Sequence, residues 1–127
     1  MNNDCPFCSI ENKNIILQNE SCIGFFDLSP VSPGHLLIVP RRHAETFFDL
    51  NAEERSDMLK LLYRGKHLLD IDKSPDGYNI GWNCGTVAGQ TVMHCHCHLI
   101  PRFAGDTPNP RGGVRGVIPG RQQSEYR

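Results

Sequence analysis

The chain has no long apolar run, no excess of either charge, no internal repeat and no low-complexity stretch. Each absence closes a door. The longest apolar run, His35-Leu-Leu-Ile-Val39, is far short of the ~20 residues that cross a bilayer. A formal net charge of −1 gives no global bias toward nucleic acid or an anionic membrane. The start, MNNDCPFCSI, is polar and has no apolar h-region, so it does not read as a secretory signal. The expectation is a soluble, cytoplasmic, single-domain protein of 127 residues, with neither nucleic acid nor membrane as partner. In a reducing compartment its six cysteines are thiols, core residues or metal ligands, and not disulfides.

Charge is nonetheless uneven. From Arg102 onward there are five arginines and two acids, which leaves the first 101 residues acidic. The segment 106–127 is rich in Gly, Pro and Arg and forms no long helix. It reads as a tail completing a domain over 1–105. Arg102, Arg111 or Arg115 is a candidate to reach distal phosphates of a long anionic substrate. A solvated, flexible end is the alternative.

Secondary structure is read from periodicity. Residues 15–18, 22–27, 34–39, 78–84 and 91–101 read as strands. "LSPVSPGH" between the second and third is turn-rich, and Pro40 ends the third because it cannot donate to a ladder. "NAEERSDMLKLLYRGKHLLDI" is the one clear helix. Asn51 and Glu54 form a capping box, and Met58, Leu61, Leu62, Gly65, Leu68 and Leu69 make one apolar face. Gly65 on that face implies close approach to a sheet. The pattern is an α+β domain, with the helix packed on one face of an antiparallel sheet.

"HCHCHLIPR", residues 94–102, carries the chemistry. On a strand, alternate side chains share a face. His94, His96 and His98 then lie together, with Cys95, Cys97 and Leu99 behind them in the core. Three imidazoles in register are too costly to bury as ordinary core, so they meet a ligand, a metal or water. Three ligands along one strand splay, so one ion does not take all three. Catalysis on an anion remains, with one imidazole attacking while the others orient it and stabilise charge. The preceding "NCGTVAGQT" places Asn83, Gly85, Gly89, Gln90 and Thr91 beside them, as donors for phosphate oxygens.

These blocks, together with "CPFC" and "FFDLSPVSPGHLLIVPRRH", resemble the histidine triad family over nearly the whole chain. "PGHLLIVP" and "GQTVMHCHCHLIPRFAGD" look like the fragile histidine triad branch, whose members hydrolyse dinucleoside polyphosphates. "DLSP", "PRRH", Asn83 and the CxxC look like the Hint-type and bacterial branch, which acts on nucleoside phosphoramidates. Cys95 and Cys97 depart from the larger aliphatics usual there, on the core face.

The resemblance implies a five-stranded antiparallel sheet with one long helix, continued across a homodimer. It implies a nucleotide hydrolase that releases a nucleoside monophosphate through a nucleotidyl-histidine intermediate. His96 would attack the α-phosphate, His98 would bond the phosphate or bridging oxygen, and His35 would steady the pair. Gln90, Thr91 and Asn83, with Gly89 in the loop, would hold phosphate oxygens. Asp27 would bind the ribose, and Phe26, Leu28 and Leu37 would line a base pocket suited to a purine. A slow-turnover nucleotide-binding regulator and a nucleotidyl transferase are the alternatives. The transferase pattern replaces the third histidine, which this chain keeps as His98.

Cys5 and Cys8 form a CxxC, which reads as a metal half-site or a redox pair. A structural zinc needs two further ligands, and His43 and His94 are the candidates. Zinc-binding members of the wider superfamily, including galactose-1-phosphate uridylyltransferases, use this arrangement. Otherwise the two cysteines are free thiols near a frayed end.

Overall fold

The structure, a computed structural model, describes residues 4–126. Five strands are laid down: β1 (Leu17–Gln18), β2 (Cys22–Phe26), β3 (Leu36–Pro40), β4 (Gly77–Trp82) and β5 (Cys97–Arg102). They form one sheet in the order β1-β2-β3-β5-β4, with every neighbouring pair antiparallel. A single long helix, α1 (Ala52–Asp72), crosses one face. The α+β expectation holds.

Helix α1 begins where its cap chemistry says it should. Asn51 accepts from the Glu54 N–H at 2.8 Å, and the Glu54 carboxylate accepts from the Asn51 N–H at 2.9 Å. Glu54 also receives the Arg42 guanidinium at 3.0 and 2.9 Å, which holds its carboxyl below the usual carboxylate range despite burial. Met58, Leu61, Leu62, Gly65 and Leu69 are buried, and Leu68 packs at the margin. Gly65 is where helix and sheet touch. A Cβ there would stand 2.7 Å from Leu36 Cδ2 and 3.3 Å from Leu99 Cδ2.

The sheet has two cores. On the helix side, Leu36 and Ile38 of β3 and Cys97 and Leu99 of β5 pack with Met58, Leu61 and Leu69. On the other side Ile23, Phe25, Leu37 and Val39 are covered by Phe7, Ile10 and Ile15 from the N-terminal segment. The alternation of β2 and β3 therefore serves both faces, which explains why β3 is apolar throughout. Cys22, Cys95 and Cys97 are buried, and burial pushes the Cys22 and Cys95 thiols up to about 12. They pack as small apolar groups.

Every strand is bounded differently from the sequence reading, with β1 starting at Leu17, β2 ending at Phe26 and β3 running from Leu36 to Pro40, and two differences bear on the site. The strand expected over 91–101 begins only at Cys97. Its pairing with β3 ends at Ile38↔Cys97, short of Pro40. Pro40 has no N–H to offer the ladder, and its carbonyl is instead bonded by the His94 ring at 2.8 Å. Residues 91–96 thus leave the sheet while keeping its alternation, with Cys95 directed into the helix-side core. The strand expected over 78–84 ends at Trp82, where Cys97 is its last partner.

Residues 106–126 form turns and one short 3-10 helix, Gly113–Val117. Arg102 does not reach outward from their root. Its guanidinium is closed on Asp106 by two bonds of 2.7 Å and on Asn79 at 2.6 Å. Arg115 is likewise turned back onto the carbonyls of Arg121 and Gln123.

Candidate active site

The three histidines of the alternating run occupy the sheet face opposite α1, and their hydrogen bonds settle where each proton lies. The N–H of Val31 donates to Nδ1 of His35 at 3.2 Å. A neutral His35 therefore carries its proton on Nε2, which stands 2.9 Å from Nδ1 of His98. His98 must accept there, and its own proton sits on Nε2. His96 points Nδ1 at the carbonyl of His94, 2.8 Å away, so this nitrogen donates and Nε2 keeps its lone pair. His94 donates from Nε2 to Pro40, leaving a lone pair on Nδ1.

The electrostatics keep His35 and His98 neutral. Burial lowers His35, with the Asp27 carboxylate opposing from 3.6 Å. Burial, reinforced by the neighbouring His96 and His35, pushes His98 down to about 4. His98 therefore remains a neutral donor through the physiological range.

A cavity of about 670 Å³ opens over this face. His96 and His98 form its floor, and Thr91 stands beside them. Phe26, Asp27, Leu28 and Leu37 also line it. His35 lies behind His98, buried and outside the lining.

The loop before the histidines is placed differently from its expected role. Gly85 and Gly89 both take positive φ, around a 3-10 turn at Thr86–Ala88. The Gln90 side chain does not face the cavity. Its oxygen accepts from the Gly85 N–H at 2.8 Å, and its amide donates to the carbonyls of Glu45 and Val92 at 2.6 and 3.1 Å. Gln90 braces the loop and offers no side-chain hydrogen to a phosphate. Asn83 sits beside Gly89, and neither lines the cavity.

Sequence reasoning missed the cavity's other wall. Phe7, Ile10 and Ile16 line it, and the Phe7 ring lies edge-on to His96 with centroids 5.1 Å apart. The one sequence signal was an aromatic enclosed by two candidate ligands, Cys5 and Cys8.

Those cysteines, with His43 and His94, converge. Their ligand atoms all lie within 4.8 Å of one another. Cys5 Sγ is 3.4 Å and Cys8 Sγ 3.5 Å from Nδ1 of His94. Cys8 Sγ is 3.2 Å from Nδ1 of His43, and the two Nδ1 atoms are 3.2 Å apart. A tetrahedral ion bound to two sulfurs and two imidazoles has edges of roughly 3.3–3.8 Å. The donor set and the His94 tautomer both fit a metal ion. Cys5 and His94 are buried, and Cys8 and His43 are partly covered.

Comparison with known proteins agrees with this architecture. The family model described as the HIT domain matches residues 10–105. The chain belongs to the HIT, or histidine triad, family. A HIT-like protein of Methanocaldococcus jannaschii is 39% identical over 108 residues, covering 80% of this chain and 81% of that one. An adenosine 5′-monophosphoramidase of Schizosaccharomyces pombe is 32% identical over 114 residues, covering 87% of this chain and 79% of that one. Among solved structures, a HIT family protein from Bacillus anthracis superposes with a TM-score of 0.76 at 32% identity. It covers 82% of this HIT chain and 77% of its own.

Proposed function

We propose that this HIT protein is a nucleotide hydrolase that cleaves at the α-phosphate of dinucleoside polyphosphates or nucleoside phosphoramidates. The observation that carries the reading is the proton arrangement. His96 is tied at Nδ1 and lines the cavity, so its Nε2 lone pair is the free nucleophile. His98, accepting at Nδ1 from His35, turns an N–H toward the same space. One imidazole attacks while its neighbour, the neutral His98, donates.

The reaction follows from this placement. Nε2 of His96 forms a bond to the α-phosphorus as the bond to the leaving group breaks. The His98 N–H bonds a phosphate or bridging oxygen as charge develops there. A water oxygen then bonds to phosphorus as the Nε2–P bond breaks and returns its electron pair to His96, releasing a nucleoside monophosphate while the proton from water goes to solvent. Asp27 binds the ribose hydroxyls. Phe26, Leu28 and Leu37 receive the base, with a purine as the expected base, through apolar contact. Thr91 and the loop backbone hold phosphate oxygens, with Gln90, Asn83 and Gly89 shaping that loop from behind.

Cys5, Cys8, His43 and His94 would hold a zinc ion. A Cys2His2 set that closes the tetrahedron supports a structural ion, with no open position for substrate. When bound, zinc supplies a crosslink between the N-terminal segment and the histidine run. We assign residues 1–105 to the catalytic domain and 106–127 to a tail completing it, in a cytoplasmic homodimer. The open edge of β4 supports the pairing of two copies.

The test is a panel of dinucleoside polyphosphates beside adenosine phosphoramidate, with products identified. Turnover to a nucleoside monophosphate, abolished by His96→Ala in a folded protein, is the expected result. If His96→Ala keeps near-wild-type kcat on every active substrate, the mechanism falls.

A further inference from the structure

The histidine ring torsion is soft. Rotation about the bond joining an imidazole to its Cβ has broad minima, unlike the staggered wells of aliphatic bonds. A single hydrogen bond from Nδ1 of His96 to the His94 carbonyl leaves the ring free to rock about that anchor. The reacting Nε2 turns with the ring, so the neighbours that limit this rotation set its aim.

Two rings stand against His96. His98 lies on one side at 5.1 Å with planes inclined by 65°, and Phe7 on another at 5.1 Å and 75°. His98 belongs to the reacting pair. Phe7 carries no chemistry of its own, and it is held from behind. Its ring packs on Phe25 at 5.5 Å and on His94 at 6.1 Å. Its backbone lies in a four-residue turn closed by the Cys8 N–H on the Cys5 carbonyl at 3.2 Å, with Pro6 at the second position where its fixed φ suits a turn. The thiols at both ends of that turn meet Nδ1 of His94.

We propose that Phe7 is a positioning residue for the His96 imidazole, presented by the Cys5–Cys8 turn. The contacts form a closed circuit. The turn meets the His94 ring, the His94 carbonyl holds Nδ1 of His96, and the His96 ring meets Phe7 on the same turn. The Cys/His cluster and the reacting nitrogen are therefore set by one piece of backbone. Only the kinetic arm of this proposal rests on the nucleophilic role of His96.

The experiment uses Phe7→Ala, Phe7→Leu and Phe7→Tyr in the full chain, carrying whatever metal it purifies with. Two readings are taken. Two-bond ¹H–¹⁵N correlation of the histidine rings reports the tautomer and line width of His96 without substrate. Steady-state kinetics separate kcat from KM. Wild type should show one Nδ1–H form. Phe7→Ala should show mixed tautomers or exchange broadening at His96, with kcat down about tenfold or more, since small misplacement of a reacting group has effects of that order. Phe7→Leu should fall between, and Phe7→Tyr should restore the wild-type signal and kcat.

An unchanged His96 signal with raised KM alone would make Phe7 a cavity wall, and the proposal would be wrong. An unchanged signal with a lower Tm alone would make it a packing residue and would overturn the proposal equally. If Phe7→Ala does not fold, Phe7→Leu gives the same readings at smaller amplitude. If wild type turns over no nucleotide, the proposed reaction fails, and the tautomer spectrum alone still decides the role of Phe7.

Discussion

The backbone oxygen of His94 and the ring of His96 are joined by a 2.8 Å hydrogen bond, so a residue of the Cys/His cluster directly sets the tautomer of the proposed nucleophile. Ligand geometry and reactivity meet within two residues of chain. The comparison of variants at the two places is therefore informative.

Protein purified without chelator should contain about one zinc per chain. Cys5→Ser with Cys8→Ser should release it and lower the Tm, because the N-terminal segment loses its tie to His94 and still has the apolar face of β2 and β3 to cover. Elemental analysis finding no zinc in fresh wild-type protein would remove zinc from the assignment.

His98 gives a pH signature. Its folded value is pushed down to about 4 from an ordinary 6.5, so between these limits the unfolded chain binds more protons than the native one. Stability from this group is complete above about 6.5 and is lost as pH falls toward 4. Buried His35, also lowered, adds in the same direction. The Tm of wild type should drop through this window, and His98→Asn should flatten part of the slope. An equal slope in the variant would show that His98 does not carry it.

Gly65→Val tests the contact of helix and sheet. Valine has the better helix propensity, so an exposed position would gain a few tenths of a kcal/mol. Here its Cβ would strike Leu36 and Leu99, both fully buried, and overpacking at ~1–3 kcal/mol wins. Urea titration should show a lower midpoint for the variant. A midpoint at or above wild type would show that the core yields.

Light scattering should give twice the 14.3 kDa chain mass at micromolar concentration. Ile80, on the outermost strand β4 and 44% exposed, is the probe. Ile80→Lys should shift the distribution toward monomer. A wild-type monomer would contradict the continued sheet.

Much of this is legible in the residues alone. Asn51 and Glu54 announce the helix start, the Met58–Leu69 periodicity its buried face, and the spacing of His94, His96 and His98 a shared side. Cys5, Cys8, His43 and His94 converge as the resemblance implies, though they are far apart in sequence. What escapes has a common cause. The late start of β5, the inward turn of Gln90 and the closure of Arg102 on Asp106 each depend on a partner distant in sequence or on local geometry. Residue type shows that an amide or a guanidinium can bond, and only the fold shows to what. Phe7 is hidden for the same reason, since an aromatic between two cysteines has no periodicity to mark its face.

The proline at the end of β3 has a bearing on protein design. A His-x-His-x-His run written into an uninterrupted ladder would have its carbonyls consumed by the neighbouring strands, and no His94 oxygen would remain to fix an imidazole. The alternating run is a reactive unit only where a strand is forced to stop. Grafting this chemistry onto another sheet would require transplanting the residue that ends the pairing along with the histidines themselves.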